Sequence, residues 1–184
     1  VALFPRVARY IKNKDENQAK AFMSKAFWFL AFLLTASTLG GIILSREITW
    51  LLFERGAFSS EDTSNTTAVL QMYMLGLLPF GLQKLFVLWL YAKEMQGKAA
   101  LIASYSLVTY IVIALALISP MGVSGLALAS TIGGYVSFSL TIKTFGFKNF
   151  LDILRSKNAL YLVLIAILFT ILLLLFKDFI GDYI

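Results

Sequence analysis

The stretch AALIASYSLVTYIVIALALISPMGVSGLALASTIGGYVSFSLTI, residues 99–142, carries no Asp, Glu, Lys or Arg over the 44 positions between Lys98 and Lys143. As one straight helix it would be about 66 Å long at 1.5 Å per residue. That is about twice the ~30 Å hydrocarbon core of a bilayer. Ser119-Pro120-Met121-Gly122 lies at its centre, and Pro close to Gly marks a turn. The stretch therefore reads as two membrane-crossing helices joined by a tight hairpin. Its apolar residues are continuous rather than alternating, which excludes the strands of a membrane barrel.

Working outward, the same test finds three more runs without charge: 20 residues between Lys25 and Arg46, 21 between Asp62 and Lys84, and 19 between Lys157 and Lys177. About 20 predominantly apolar residues are needed to cross a bilayer as a helix. The spacing predicts spans over 26–45, 64–92, 99–118, 122–145 and 158–176. The fold class is an all-α, polytopic integral membrane bundle of five transmembrane helices. Composition agrees: 59% of the 184 residues are hydrophobic and 14% charged, against about 45–50% and 25% in soluble domains. A chain of this length folded in water still leaves about 30% of its surface exposed, so it could not hide that much apolar surface. The sequence has neither Cys nor His, which removes disulfides, thiol nucleophiles and the commonest base and metal ligand. No paired intramembrane carboxylates appear, and neither a metal nor a cofactor is expected.

The net charge of +6 is explained by where it sits. Twelve basic residues fall in the segments 5–25, 93–98 and 143–157, and three (Arg46, Arg55, Lys177) in the alternate segments. Cytoplasmic loops carry the excess of Lys and Arg. The first set is therefore placed in the cytoplasm, with the N-terminus inside and the C-terminus outside. Membrane orientation accounts for the charge, and no nucleic-acid partner is expected. The opening Val1-Ala2-Leu3-Phe4-Pro5 reads as the last turn of a helix stopped by proline, as in a piece of a larger polytopic protein.

Lys84 is the one charge well inside a span. It lies nine residues before Lys93, about 13 Å along a helix. Two readings stay open: its side chain snorkels to the headgroups, or it faces a hydrated cavity and meets an anionic substrate. Gln83 precedes it, and Gly76, Pro79 and Gly81 lie just upstream; an internal proline removes a backbone hydrogen bond and bends a helix. Gly125, Ala129, Gly133 and Ser137 repeat every four residues, as do Ser37, Gly41 and Ser45. Small residues at that spacing read as close helix-packing faces. Residues 46–53 read as a short amphipathic helix on the outer surface, with Ile48, Leu51 and Leu52 on one side and Trp50 at the interface. Ser59, with Glu61 and Asp62 after it, reads as the N-cap of the second span.

The run Leu52-Phe53-Glu54-Arg55-Gly56-Ala57-Phe58 resembles an element of the lipid II flippase family (MurJ, also written MviN). Leu3 to Arg9, Gly76-Leu77-Leu78-Pro79-Phe80-Gly81-Leu82-Gln83-Lys84 with Tyr91-Ala92-Lys93, and Gly122 to Ser130 are similar to further stretches of that family in the same order. The markers are Phe53, Arg55, Gly56, Ala57 and Phe58.

The resemblance implies a two-lobe exporter fold, of which residues 1–184 would be most of the C-terminal lobe. It implies a protein of the bacterial inner membrane that moves an undecaprenyl-linked peptidoglycan precursor from the cytoplasmic to the periplasmic leaflet by alternating access. The partners implied are membrane lipid, that precursor and the N-terminal lobe of the same protein. On this reading Lys84 and Gln83 lie on the substrate pathway, and Gly76, Pro79 and Gly81 form a bend or gate. Some members of the family hold a cation with Asn and Asp in the helix corresponding to 99–118. The matching places near Tyr110 and Ala114 cannot supply those ligands, which argues against a sodium site there. The alternatives are another exporter of the same superfamily, for polysaccharide units or drugs, and a non-transporting membrane scaffold.

Overall fold

The computed structural model describes residues 9–11, 13 and 15–181, and every regular element among them is a helix. In chain order these are α1 (Glu16–Ile43), α2 (Ser45–Phe53), α3 (Ser60–Ala92), α4 (Gln96–Phe145), α5 (Phe147–Leu154) and α6 (Asn158–Gly181). Helices α1, α3, α4 and α6 are long and apolar enough to cross a membrane. The expected helix end at Pro5 lies outside the described residues.

Helix α4 is 50 residues long but does not run straight. Gly122 has φ 58° and ψ −135°, a conformation that a Cβ would strain. The Ser106 hydroxyl donates to the carbonyl of Gly133 at 2.8 Å. On a straight helix those residues would be about 40 Å apart. The chain therefore folds back into two antiparallel arms, 96–121 and 123–145, and makes the five apolar crossings that the charge gaps predict. Helical geometry persists through Pro120 and Met121, so the turn is narrower than Ser119–Gly122.

Other boundaries shift for identifiable reasons. Helix α1 begins at Glu16, where the Asp15 carboxylate accepts from the Gln18 backbone N–H at 3.1 Å; the end of the basic segment 5–25 and the first span are one helix. Ser59 caps α3 as expected. Its backbone N–H donates to the Asp62 carboxylate (2.8 Å) and its hydroxyl accepts from the Asp62 N–H (3.2 Å), a reciprocal box that satisfies two otherwise orphaned donors. Helix α5 was expected only as a basic connection. Phe147, Phe150, Leu151 and Leu154 give it the i, i+3, i+4, i+7 period of an amphipathic helix.

The core lies at the end of the bundle where α1 starts and α3 finishes. Phe27, Phe86, Trp89 and Phe145 are buried there and Phe150 packs against them. Ring centroids are 4.9 Å apart for Phe86–Phe145, 5.2 Å for Trp89–Phe145 and 5.8 Å for Phe27–Phe150, all edge-on. Each such pair contributes about 0.5–1.5 kcal/mol beyond its buried area. The arm 123–145 packs closely on the arm 96–121 through small residues. Gly125, Ala129, Gly133 and Ser137 are all buried. A Cβ on Gly125 would lie 2.5 Å from the carbonyl oxygen of Leu117. The second small-residue row is shorter than predicted: Gly41 abuts Met74 and Ser45 is buried, but Ser37 is exposed. Leu101, Tyr105, Val108, Val112 and Leu115 form an exposed apolar stripe on the arm 96–121, an arrangement suited to lipid or protein rather than water.

Candidate functional site on the third helix

Pro79 is buried inside α3, which remains one helix from Ser60 to Ala92. Proline has no N–H, so the carbonyl of Leu75, four residues back, loses its usual donor. The Tyr135 hydroxyl donates to that carbonyl at 3.1 Å. One turn earlier the Thr131 hydroxyl donates to the carbonyl of Met72 at 2.6 Å. Gly76 lets the backbones approach: a Cβ there would lie 2.7 Å from the Thr131 hydroxyl oxygen. A Cβ on Gly81 would run into the Leu34 side chain of α1. The Gly76, Pro79 and Gly81 segment is thus the place where α3 packs against two neighbours at once.

Gln83 and Lys84 diverge, because successive helical residues point about 100° apart. The Gln83 amide nitrogen donates to the Ser137 hydroxyl at 2.5 Å, inside the contact between α3 and the arm 123–145. Lys84 points away from that contact and is exposed. It sits in an open groove of about 390 Å³ with Val87, Leu88, Tyr91 and an edge of Gln83. Among the described residues Lys84 has no hydrogen-bond or ion-pair partner. The outer surface of α3 therefore presents one cation in an apolar groove.

The segment Phe53–Phe58 is a built turn. Arg55 donates from its guanidinium to the carbonyl of Leu51 at 2.7 Å and so closes the end of α2. Gly56 takes φ +65°. The Phe53 and Phe58 rings lie 6.0 Å apart across the turn, with Ala57 exposed at its tip. Thr63 donates to the Glu54 carboxylate at 2.5 Å, tying the turn to α3. The packing of α2 inverts the usual pattern: Ser45 and Thr49 are buried against the bundle, while Leu51 and Leu52 are exposed. Gln71 donates to the Ser45 hydroxyl at 2.9 Å, which gives the polar face its partner.

Among the described residues, two ion pairs join distant elements. Lys93, beyond α3, pairs with Glu16 at the start of α1 and lies over the Trp89 ring. Lys177 of α6 lies 3.3 Å from the Glu47 carboxylate and donates to the carbonyl of Ile43 at 2.9 Å. Both shifted carboxylates precede the charge-free runs. Lys93 holds Glu16 below the ordinary glutamate value, chiefly through their hydrogen bond. The backbone N–H and hydroxyl of Ser59 hold Asp62 low in the same way.

Five apolar crossings, with α2 and its turn at one end and the basic connections at the other, define a multi-pass helical membrane protein. Residues 1–184 match the family model "Lipid II flippase MurJ" over their whole length, and the chain belongs to that family. It is 48% identical over 180 residues to a "Probable lipid II flippase MurJ" of Helicobacter pylori (strain J99), a match covering 97% of this chain and 39% of the relative. It is 31% identical over 170 residues to the "Lipid II flippase MurJ" of Thermosipho africanus, covering 88% of this chain and 35% of that protein. A solved structure, "Lipid II flippase MurJ, inward closed conformation", shares the fold with a TM-score of 0.71 at 24% identity, over 98% of this chain and 44% of the other. The chain thus spans well under half the length of the curated relatives it matches.

Proposed function

We propose that residues 1–184 form the C-terminal lobe of a flippase that carries a lipid-linked peptidoglycan precursor across the bacterial inner membrane by alternating access. The observation that carries this reading is the family match over the whole chain. The N-terminus of the segment lies in the cytoplasm and its end in the periplasm, as the basic-residue bias supports. The task is movement of a lipid rather than a chemical conversion. The precursor's polar, anionic headgroup needs a hydrated path with positive charge, while its tail stays among the lipids. Lys84 supplies such a charge on the open surface of α3, and the N-terminal lobe would close the other side of the path. Gln83 braces α3 against Ser137 and lends the groove one edge. The Gly76–Gly81 segment, where a side chain replaces a backbone hydrogen bond, is where α3 bends during transport.

The test is complementation by the full-length protein at matched abundance, with an assay of precursor accessibility at the outer leaflet. Lys84→Ala should lower flipping while insertion is normal, and Lys84→Glu should lower it further by repelling the anion. Full activity of Lys84→Glu would leave Lys84 as a headgroup anchor and remove it from the path.

A further inference from the structure

A polar recess lies at the end of the bundle where α1 starts. The first turns of α1 and the short helix α5 border an open recess of about 380 Å³, within the range of roughly 300–1,000 Å³ usual for small-ligand sites. Its walls carry Asn17, Lys20 and Ser24 from α1, and Asn149 and Asp152 from α5. Its floor is apolar, made by the buried Phe145 and Ile153.

Three features distinguish this recess from an ordinary solvated surface. First, Lys20 and Asp152 border the same space without pairing: the ion pairs among the described residues are Lys93–Glu16 and Lys177–Glu47. Glu16, one turn before Lys20, is held by Lys93. Second, the hydrogen-bonding groups are directional. The Asn149 amide nitrogen donates to the Phe145 carbonyl at 3.2 Å, which leaves its oxygen as an acceptor beside Asp152. Among the described residues, the side-chain donors of Asn17 and Ser24, beside Lys20, have no hydrogen-bond partner. Third, the depth is defined. The charge-free run of α1 starts after Lys25 and that of the arm 123–145 stops at Lys143. The recess sits just beyond both limits, at the level of lipid headgroups.

A site with a cation and donors at one end, and a carboxylate and an acceptor at the other, matches a small zwitterion. We propose that this recess holds the headgroup of an ethanolamine-type phospholipid of the adjacent leaflet, with its phosphate at Lys20, Asn17 and Ser24 and its ammonium at Asp152 and Asn149. The apolar floor receives the two headgroup carbons. An anionic headgroup would meet Lys20 but be repelled by Asp152. A choline headgroup keeps both charges but has no N–H to donate to Asp152 and Asn149. The order of preference is therefore phosphatidylethanolamine, then phosphatidylcholine, then phosphatidylglycerol.

The experiment is competitive lipid retention by the full-length protein. It is purified into nanodiscs of equimolar phosphatidylethanolamine, phosphatidylcholine and phosphatidylglycerol, and the retained lipid is read by native mass spectrometry. The wild type should retain phosphatidylethanolamine over phosphatidylglycerol. Asp152→Ala should reduce that ratio about two- to fivefold, the effect of losing one partly exposed ion pair. Asp152→Lys should reverse it in favour of phosphatidylglycerol. Asp152 is exposed, so these changes leave the packed core intact. Lys20→Ala should lower retention of all three phospholipids without inverting their order. Lack of any phosphatidylethanolamine preference in the wild type overturns the proposal, as does a ratio unchanged by Asp152→Lys. A wild-type preference for phosphatidylglycerol would assign the recess to general attraction between basic segments and anionic lipid.

Discussion

Replacing Tyr135 by Phe removes one oxygen and keeps the ring, and that atom answers a specific defect. Pro79 deprives the Leu75 carbonyl of its helical donor, and the Tyr135 hydroxyl takes the vacant place at 3.1 Å. A net intramolecular hydrogen bond contributes about 0.5–1.5 kcal/mol, and interhelical bonds in membranes average about 0.6 with a maximum near 1.7. Tyr135 is 48% exposed, which argues against the upper limit, so Tyr135→Phe should cost about 1 kcal/mol. The decisive assay is a double-mutant cycle on the full-length protein, unfolded in detergent. Pro79→Ala restores an N–H to Leu75, so Tyr135→Phe should cost about 1 kcal/mol beside Pro79 and close to nothing in the Pro79→Ala background. The coupling in such a cycle isolates the pairwise interaction from the separate loss of the proline ring. Equal costs in the two backgrounds would refute the assignment of Tyr135 as the substitute donor.

Gly133→Leu should destabilise by about 1–3 kcal/mol through overpacking, since even a Cβ would lie 3.2 Å from the Ser106 carbonyl oxygen; an unchanged melting point of the full-length protein would remove the contact between the arms of α4. In a cysteine-free background, Asn17→Cys should be shielded from impermeant reagent in intact cells and Ser60→Cys should react, and equal labelling would overturn the proposed orientation. Lys93 depresses the Glu16 pKa, so the tie between α1 and α3 is present above the ordinary glutamate value of 4.5 and is lost as pH falls through the folded-state value. Wild type and Lys93→Met should then differ in stability at neutral pH and converge in acid.

The crossings are readable in the sequence because a charge inside hydrocarbon is costly whatever surrounds it. That rule is local, and it locates the spans from Lys25, Arg46, Lys98 and Lys143 without any knowledge of neighbours. Gly122 and Ser59 are readable for a similar reason: a reversal needs a residue that tolerates positive φ, and a helix start needs an acceptor for its free N–H groups. Counting charges has a corresponding blind spot. Lys148, Asp152 and Arg155 make residues 147–154 read as a connection, although the aromatic and aliphatic positions between them already have a helical period.

Which way a side chain faces is a different kind of information. Gln83 and Lys84 look like one polar pair in the chain, yet Ser137, 54 residues away, draws the first into a helix contact and leaves the second outside. In α2 the expected apolar anchor faces outward, because Gln71 offers Ser45 a hydrogen bond that no apolar residue could accept. In a membrane this arrangement is favourable on both sides, since exposed Leu51 and Leu52 suit a lipid environment while the buried polar groups satisfy one another. An amphipathic period therefore predicts that a helix has two faces without saying which one meets the protein. In water the apolar face is the buried one; beside a bilayer the polar face has the stronger need for a protein partner. The same reasoning explains why Tyr135 could not be assigned from its position in the small-residue arm. Its partner is a backbone carbonyl 60 residues earlier, exposed to need by a proline whose effect on the sequence pattern is invisible until the two helices lie side by side.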